Sequence, residues 1–106
     1  MKLLRAALLI SFSFTAVAHA DSAPELWKSK CKSCHGETGK GDTKTGKKEK
    51  VNDMTVAAWQ TEWTDAKIKT VILEGSKDNK KMKPFKDKLS AEEVDGLIKH
   101  IRGFKP

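Results

Sequence analysis

The 106-residue chain contains no tyrosine, only three prolines and only two cysteines. Cys31 and Cys34 are three positions apart, so a disulfide between them would close a loop too small to remove much chain entropy, and a disulfide framework is excluded as the source of stability. Alternation of apolar and polar residues is nowhere sustained, which excludes a sheet-built class. The apolar run Ala6 to Val17 has 12 residues, well short of the roughly 20 that span a bilayer, and it holds no cysteine that could take a lipid. No internal repeat or low-complexity tract is present. Acids are the scarcer charge, 14 against 21 bases. Disorder is excluded in turn, because tryptophan, phenylalanine and aliphatic residues recur in patterned clusters.

The short apolar run carries a different message. Lys2 and Arg5 precede it, and Ala18-His19-Ala20 follows with small residues at both ends of a cleavage site, which is the layout of a secretory signal. Residues 1–20 are therefore read as a signal peptide cut after Ala20, and residues 21–106 as one soluble, exported domain with a periplasmic location and no stable membrane insertion. The leader carries two bases and no acid, so the domain keeps 19 bases against 14 acids. A domain this small buries only about 60–65% of its unfolded surface and needs a staple beyond its own core.

Three helices are signalled. The first begins with Pro24 and Glu25, a residue of preset φ and an acid in the first turn, and carries Leu26, Trp27, Cys31 and Cys34. The second follows Thr64-Asp65, runs through Ile68, Val71 and Ile72, and stops at Gly75. The third opens on the capping box of Ser90 and Glu93 and places Val94, Leu97, Ile98 and Ile101 at i, i+3, i+4 and i+7 before Gly103. A further short helix is read over Val56 to Gln60. The glycine- and lysine-rich stretch Gly36 to Lys50 reads as one long loop. The class is all-α, three to four short helices joined by long loops. Loops of that length in so short a chain need something to wrap, and a large, flat, apolar prosthetic group would serve.

Cys31-Lys32-Ser33-Cys34-His35 is a CxxCH pattern, the spacing of c-type haem attachment. Positions i, i+3 and i+4 share a helix face, so two thiols can reach the vinyl groups on one side of a porphyrin while the adjacent imidazole reaches the iron. One covalently attached haem c is thus expected on Cys31, Cys34 and His35. A thiol-disulfide site would want a preceding strand and a βαβ setting, neither of which is visible. A zinc site would have to recruit His100 and carboxylates without a second CxxC or HxxxH.

With these residues in place, the chain resembles the class I c-type cytochromes, small soluble monohaem electron carriers, over nearly all of residues 21–106. Trp27 matches the family's aromatic four residues before the first cysteine. Gly36, Gly39 and Gly41 match its CHGxxGxG loop, and Met82-Lys83-Pro84-Phe85 resembles the methionine-bearing segment that supplies the sixth ligand. Leu89 to Arg102 resembles the C-terminal helix that crosses the N-terminal one near Trp27. The resemblance implies the cytochrome c fold around the haem, with His35 and Met82 as the two axial ligands of the iron. A soft thioether suits low-spin iron, and Met82 stands in a run of lysines where a core residue would be badly placed.

Met54 competes for the sixth position, but an apolar residue 19 positions after His35 is read as packing under a loop. His100 would give bis-histidine coordination, and its place on the last helix argues for packing against the first. Trp59 is read as cover for haem or core, and Trp63 resembles a tryptophan whose indole N–H reaches a haem propionate in some family members. Two departures from the family pattern stand out. No proline follows the glycine loop, where Gly46-Lys47-Lys48 stands instead, so the acceptor for the proximal imidazole is not named. Lys83 separates Met82 from Pro84.

Filled axial positions leave no open site, so the expected function is one-electron transfer by a non-enzymatic carrier. The alternative, from a different class, is a haem sensor or small peroxidase with an open or weakly capped iron. Lys28, Lys30 and Lys32 on the first helix and Lys80, Lys81, Lys83, Lys86 and Lys88 around Met82 would frame the haem edge. They point to redox partner proteins with acidic docking patches. The protein is expected to be a monomer. Nucleic acid is excluded as a partner, since the chain is exported and carries no recognition module.

Overall fold

The computed structural model describes residues 6–13, 21–77 and 81–106. Of the expected leader, residues 6–13 have no regular secondary structure, with Leu8, Leu9, Ile10 and Phe12 exposed. The Ala18-His19-Ala20 cleavage site and Lys80 lie outside the described residues. No helix among the described residues is long and apolar enough to cross a membrane.

Residues 23–35 form one continuous helical run: α1 (Ala23–Leu26), a π-helical turn (Trp27–Cys31) and α2 (Lys32–His35). Ser22 caps it, its hydroxyl accepting from the Glu25 N–H at 3.4 Å, with Pro24 in the first turn. Then come α3 (Lys44–Lys48), α4 (Ala57–Glu62), α5 (Asp65–Glu74) and α6 (Ala91–Arg102). No strand occurs among the described residues, and the all-α expectation holds.

The elements form where their caps dictate. Thr64 Oγ1 accepts from the Lys67 N–H at 3.2 Å to open α5, which ends at Gly75 with φ +78°. On α6 the capping box is complete: the Glu93 N–H donates to Ser90 Oγ at 3.1 Å, and the Ser90 N–H donates to Glu93 Oε1 at 3.0 Å. The expected stripe is the buried one, since Val94, Leu97, Ile98 and Ile101 are all inaccessible. The short helix near residue 56 starts one position later and runs two further than expected, Ala57 to Glu62.

The stretch from Gly36 to Lys50 departs from the expected single loop, because it contains α3. Thr43 is the reason. Its hydroxyl accepts from the Gly46 N–H at 2.9 Å, capping the turn, and donates to the Ser33 carbonyl at 2.8 Å. The same side chain therefore starts α3 and ties it to α2.

The core is the crossing of α1 and α6, joined by α5. Leu26, Val94 and Leu97 are fully buried there, with Ile68, Ile72 and Ile101 around them. Arg102 binds the end of α6 to the α4–α5 junction. Its Nε donates to Asp65 Oδ1 at 2.8 Å, its Nη1 to the Gln60 carbonyl at 2.8 Å and Oε1 at 2.9 Å, and its Nη2 to the Trp63 carbonyl at 2.5 Å. Gln60 Nε2 in turn donates to the carbonyls of Met54 (2.7 Å) and Ile101 (3.0 Å). Replacing Arg102 by alanine strips donors from two backbone carbonyls at once. Arg102→Ala is expected to lower the unfolding free energy of the holoprotein by about 2–3 kcal/mol, read from the denaturant midpoint with the slope unchanged.

Candidate functional site

The π turn is the first determinant of the site. The Lys32 N–H reaches back to the Trp27 carbonyl instead of to Lys28, so one residue is inserted into the helix. Everything downstream is rotated about the axis relative to the core-facing Leu26 and Trp27, and what lies downstream is both cysteines and His35. Such turns occur mostly as single insertions, frequently at functional sites. Nothing in the residue types of Trp27-Lys28-Ser29-Lys30-Cys31 signals it.

Beyond His35 the chain turns at Gly36, whose carbonyl accepts from Trp27 Nε1 at 2.9 Å, while the Gly41 N–H donates to the His35 carbonyl at 2.8 Å. α3 then passes so close under α2 that a Cβ on Gly46 would collide with the Cys34 and Gly41 carbonyl oxygens. Glycine is required there by contact alone.

Cys31, Cys34, His35 and Met82 all line one cavity of about 620 Å³. Trp59 and Trp63, stacked at 5.8 Å and 15°, form part of its wall, and Ile68, Ile72 and Leu97 carry it into the core. Volumes of this order hold small molecules and cofactors. Met54 is also on the wall, buried, with its N–H donating to the Gly39 carbonyl at 2.8 Å and its own carbonyl accepting from Gln60. Packing under a loop describes it well. His100 is not part of the wall. Its ring lies 5.5 Å from Trp27 and 5.2 Å from Phe104, packed between the two terminal helices as expected.

Met82 reaches the cavity from a loop paired to Ser76. The Ser76 N–H donates to the Met82 carbonyl at 3.0 Å, and the Met82 N–H donates to Ser76 Oγ at 3.1 Å. Gly75 makes this pairing possible through its positive φ, and a Cβ there would meet the Met82 carbonyl oxygen. The Phe85 N–H, donating to the Ile72 carbonyl at 2.9 Å, fixes the far side of the loop.

The electrostatics favour neutral donors. Burial lowers the pKa of His35 from its ordinary value, which keeps a lone pair on the imidazole at neutral pH. Its Nδ1 is buried and has no hydrogen-bond partner among the described residues. Burial pushes the Cys31 thiol up to about 11, partly offset by the charge of Lys30. A thiol raised in this way is a poor nucleophile at neutral pH, the reverse of a thiol-disulfide centre. Among the described residues no cluster of three or more histidine, cysteine, aspartate or glutamate side chains is arranged to hold a metal ion, so the zinc alternative has no site there.

Two cysteine sulfurs, an imidazole and a thioether around an apolar cavity match the donor set of a covalently attached porphyrin. The fold and site together define a small c-type cytochrome. A family model described as cytochrome C oxidase, cbb3-type, subunit III matches residues 18–101, and the chain belongs to the c-type cytochromes, whose haem c is covalently bound. Among solved structures, the KustC0563 c-type cytochrome is 36% identical, with 81% of this chain and 100% of that one covered at a TM-score of 0.73. A tyrosine-to-phenylalanine mutant of Kustc0563 is 35% identical, with 80% and 100% covered at a TM-score of 0.70. No curated protein sequence matches.

Sequence reasoning missed the wall formed by Thr45, Glu49, Lys50, Val51 and Asn52, which the lysine-rich composition of that stretch disguised. The Trp27 indole is the clearest link between frame and site. Trp27→Phe keeps the ring packing but leaves the Gly36 carbonyl without its donor. The holoprotein is expected to lose about 1–3 kcal/mol of stability in urea unfolding, with an unchanged visible spectrum.

Proposed function

We propose that the protein is a periplasmic, monomeric electron carrier that exchanges one electron at a time through a haem c ligated by His35 and Met82. Cys31 and Cys34 form the two thioether links, and export follows from a signal peptide over residues 1–20. The observation that carries the reading is that four side chains from two distant segments line a single apolar cavity. Haem c supplies the ferric–ferrous couple.

The chain's own residues do the rest. Neutral His35 offers a nitrogen lone pair from a helix that the α1–α6 crossing keeps rigid. The soft Met82 sulfur favours the reduced state over an oxygen or imidazole donor, which raises the potential. Trp59, Trp63, Ile68 and Ile72 exclude water, so the polar reorganisation that accompanies each electron transfer stays small. His35 and Met82 would together hold the iron of haem c and leave it no position for substrate, which favours a carrier over a sensor or peroxidase.

The rim of the cavity is basic. Lys30, Lys50, Lys81 and Lys83 all border it and are exposed, in keeping with brief docking on acidic patches of redox partner proteins. Such attraction falls off within a Debye length of about 8 Å at physiological salt.

Two measurements test the reading. Ferrous wild-type protein is expected to bind carbon monoxide slowly at neutral pH and Met82→Ala rapidly, with loss of the methionine–iron absorption band. Fast binding by the wild type would favour the sensor or peroxidase. The rate of electron transfer with an acidic redox protein should fall steeply as ionic strength rises, and a flat profile would remove the docking role of the lysines.

A further inference from the structure

Two loops that line the cavity meet at an ion pair. One runs through Glu49 and Lys50 after α3; the other carries Lys81 and Met82. The first is held stiffly. The Glu49 N–H donates to the Thr45 carbonyl at 2.9 Å, and the Val51 N–H donates to the Gly46 carbonyl at 2.9 Å. Between them Lys50 adopts φ +54°, the one positive φ of a non-glycine residue among those described, a conformation that persists only where the surroundings over-determine it. The second loop is held by the Ser76 bonds and Gly75 described above.

Of the two ion pairs between described residues, Arg102–Asp65 belongs to the helical frame, and Lys81–Glu49 joins these two loops. The Glu49 side chain is largely covered, 24% exposed against 51% for Lys81, and its Oε2 is shielded from solvent. The pair spans from the wall on the Cys31–His35 side of the cavity to the residue adjoining Met82.

We propose that Glu49 is a positioning residue that ties the two cavity-lining loops together through its ion pair with Lys81 and so keeps the Met82 thioether on the iron. The inference rests on the reading of Met82 as the sixth ligand. Glu49 acts not as a ligand but by limiting how far the residue next to Met82 can swing outward. Opening detaches Met82 as a neutral donor that retains its lone pair, and an incoming ligand such as carbon monoxide brings its own pair to the ferrous iron. No electron or proton changes hands.

The experiment follows carbon monoxide binding to the ferrous holoprotein at neutral pH, limited by departure of the thioether. Glu49→Gln and Lys81→Gln are each expected to accelerate binding roughly two- to five-fold, the range open to a partly exposed pair. The double variant should be no faster than either single, and exchanging the charges in Glu49→Lys with Lys81→Glu should return the rate toward the wild-type value. High salt should speed the wild type and leave the double variant unchanged. Single variants that bind at the wild-type rate, or single effects that add fully in the double variant, would overturn the proposal. Met82→Ala run alongside separates the two readings. If it binds no faster than the wild type, Met82 is not the ligand and the clasp has nothing to hold; if it binds fast while Glu49→Gln is unchanged, only the clasp fails.

Discussion

The structure depends on one constraint: a chain of this length has built its core around a space that it does not itself fill. The cavity of about 620 Å³ is walled in large part by the side chains that would otherwise close the core, among them Ile68, Ile72, Leu97 and Ile101. An apolar space of that size is costly when dry, since its lining loses packing contacts, and offers water few polar partners. A covalently held, flat, apolar group removes both costs and supplies the missing core volume. This explains why the fold can carry so much loop, for the loops that line the cavity gain a surface to pack on.

From that constraint the division of labour among the helices follows. α1, α5 and α6 form a frame: Leu26, Val94 and Leu97 are buried at its crossing, and Arg102 and Gln60 lock the α4–α5 junction to it. The site is hung from this frame. The Cys31–His35 side comes directly off it through a single π turn, and the Met82 side is joined through Ser76, Gly75 and Phe85. The Cys31–His35 half is thereby fixed by helix packing and the Met82 half by a few hydrogen bonds.

How much of this is legible in the sequence depends on how local the determining physics is. The ends of α5 and α6 could be read because Thr64, Gly75, Ser90 and Glu93 act on backbone groups three or four residues away. The CxxCH turn could be read because its spacing is the chemistry. α3 could not, since Lys44-Thr45-Gly46-Lys47-Lys48 has no apolar stripe and depends on one hydroxyl, that of Thr43, bonded to Ser33 across a turn. The π turn is equally silent, for it is settled by what the two halves of one helix must face. The family resemblance pointed to Met82, whereas its pairing with Ser76 is a tertiary fact.

The proximal histidine shows where a departure in sequence becomes a physical difference. In this chain Gly46 occupies the crossing under α2, and its lack of a side chain lets α3 approach the Cys34 carbonyl. Nearby, His35 Nδ1 is buried without an acceptor among the described residues. A ligating imidazole whose second nitrogen donates to a carbonyl or carboxylate is more basic and better oriented; without that bond, orientation has to come from packing. The Trp27 ring, 5.7 Å from the imidazole and held by its own bond to Gly36, is placed to provide it.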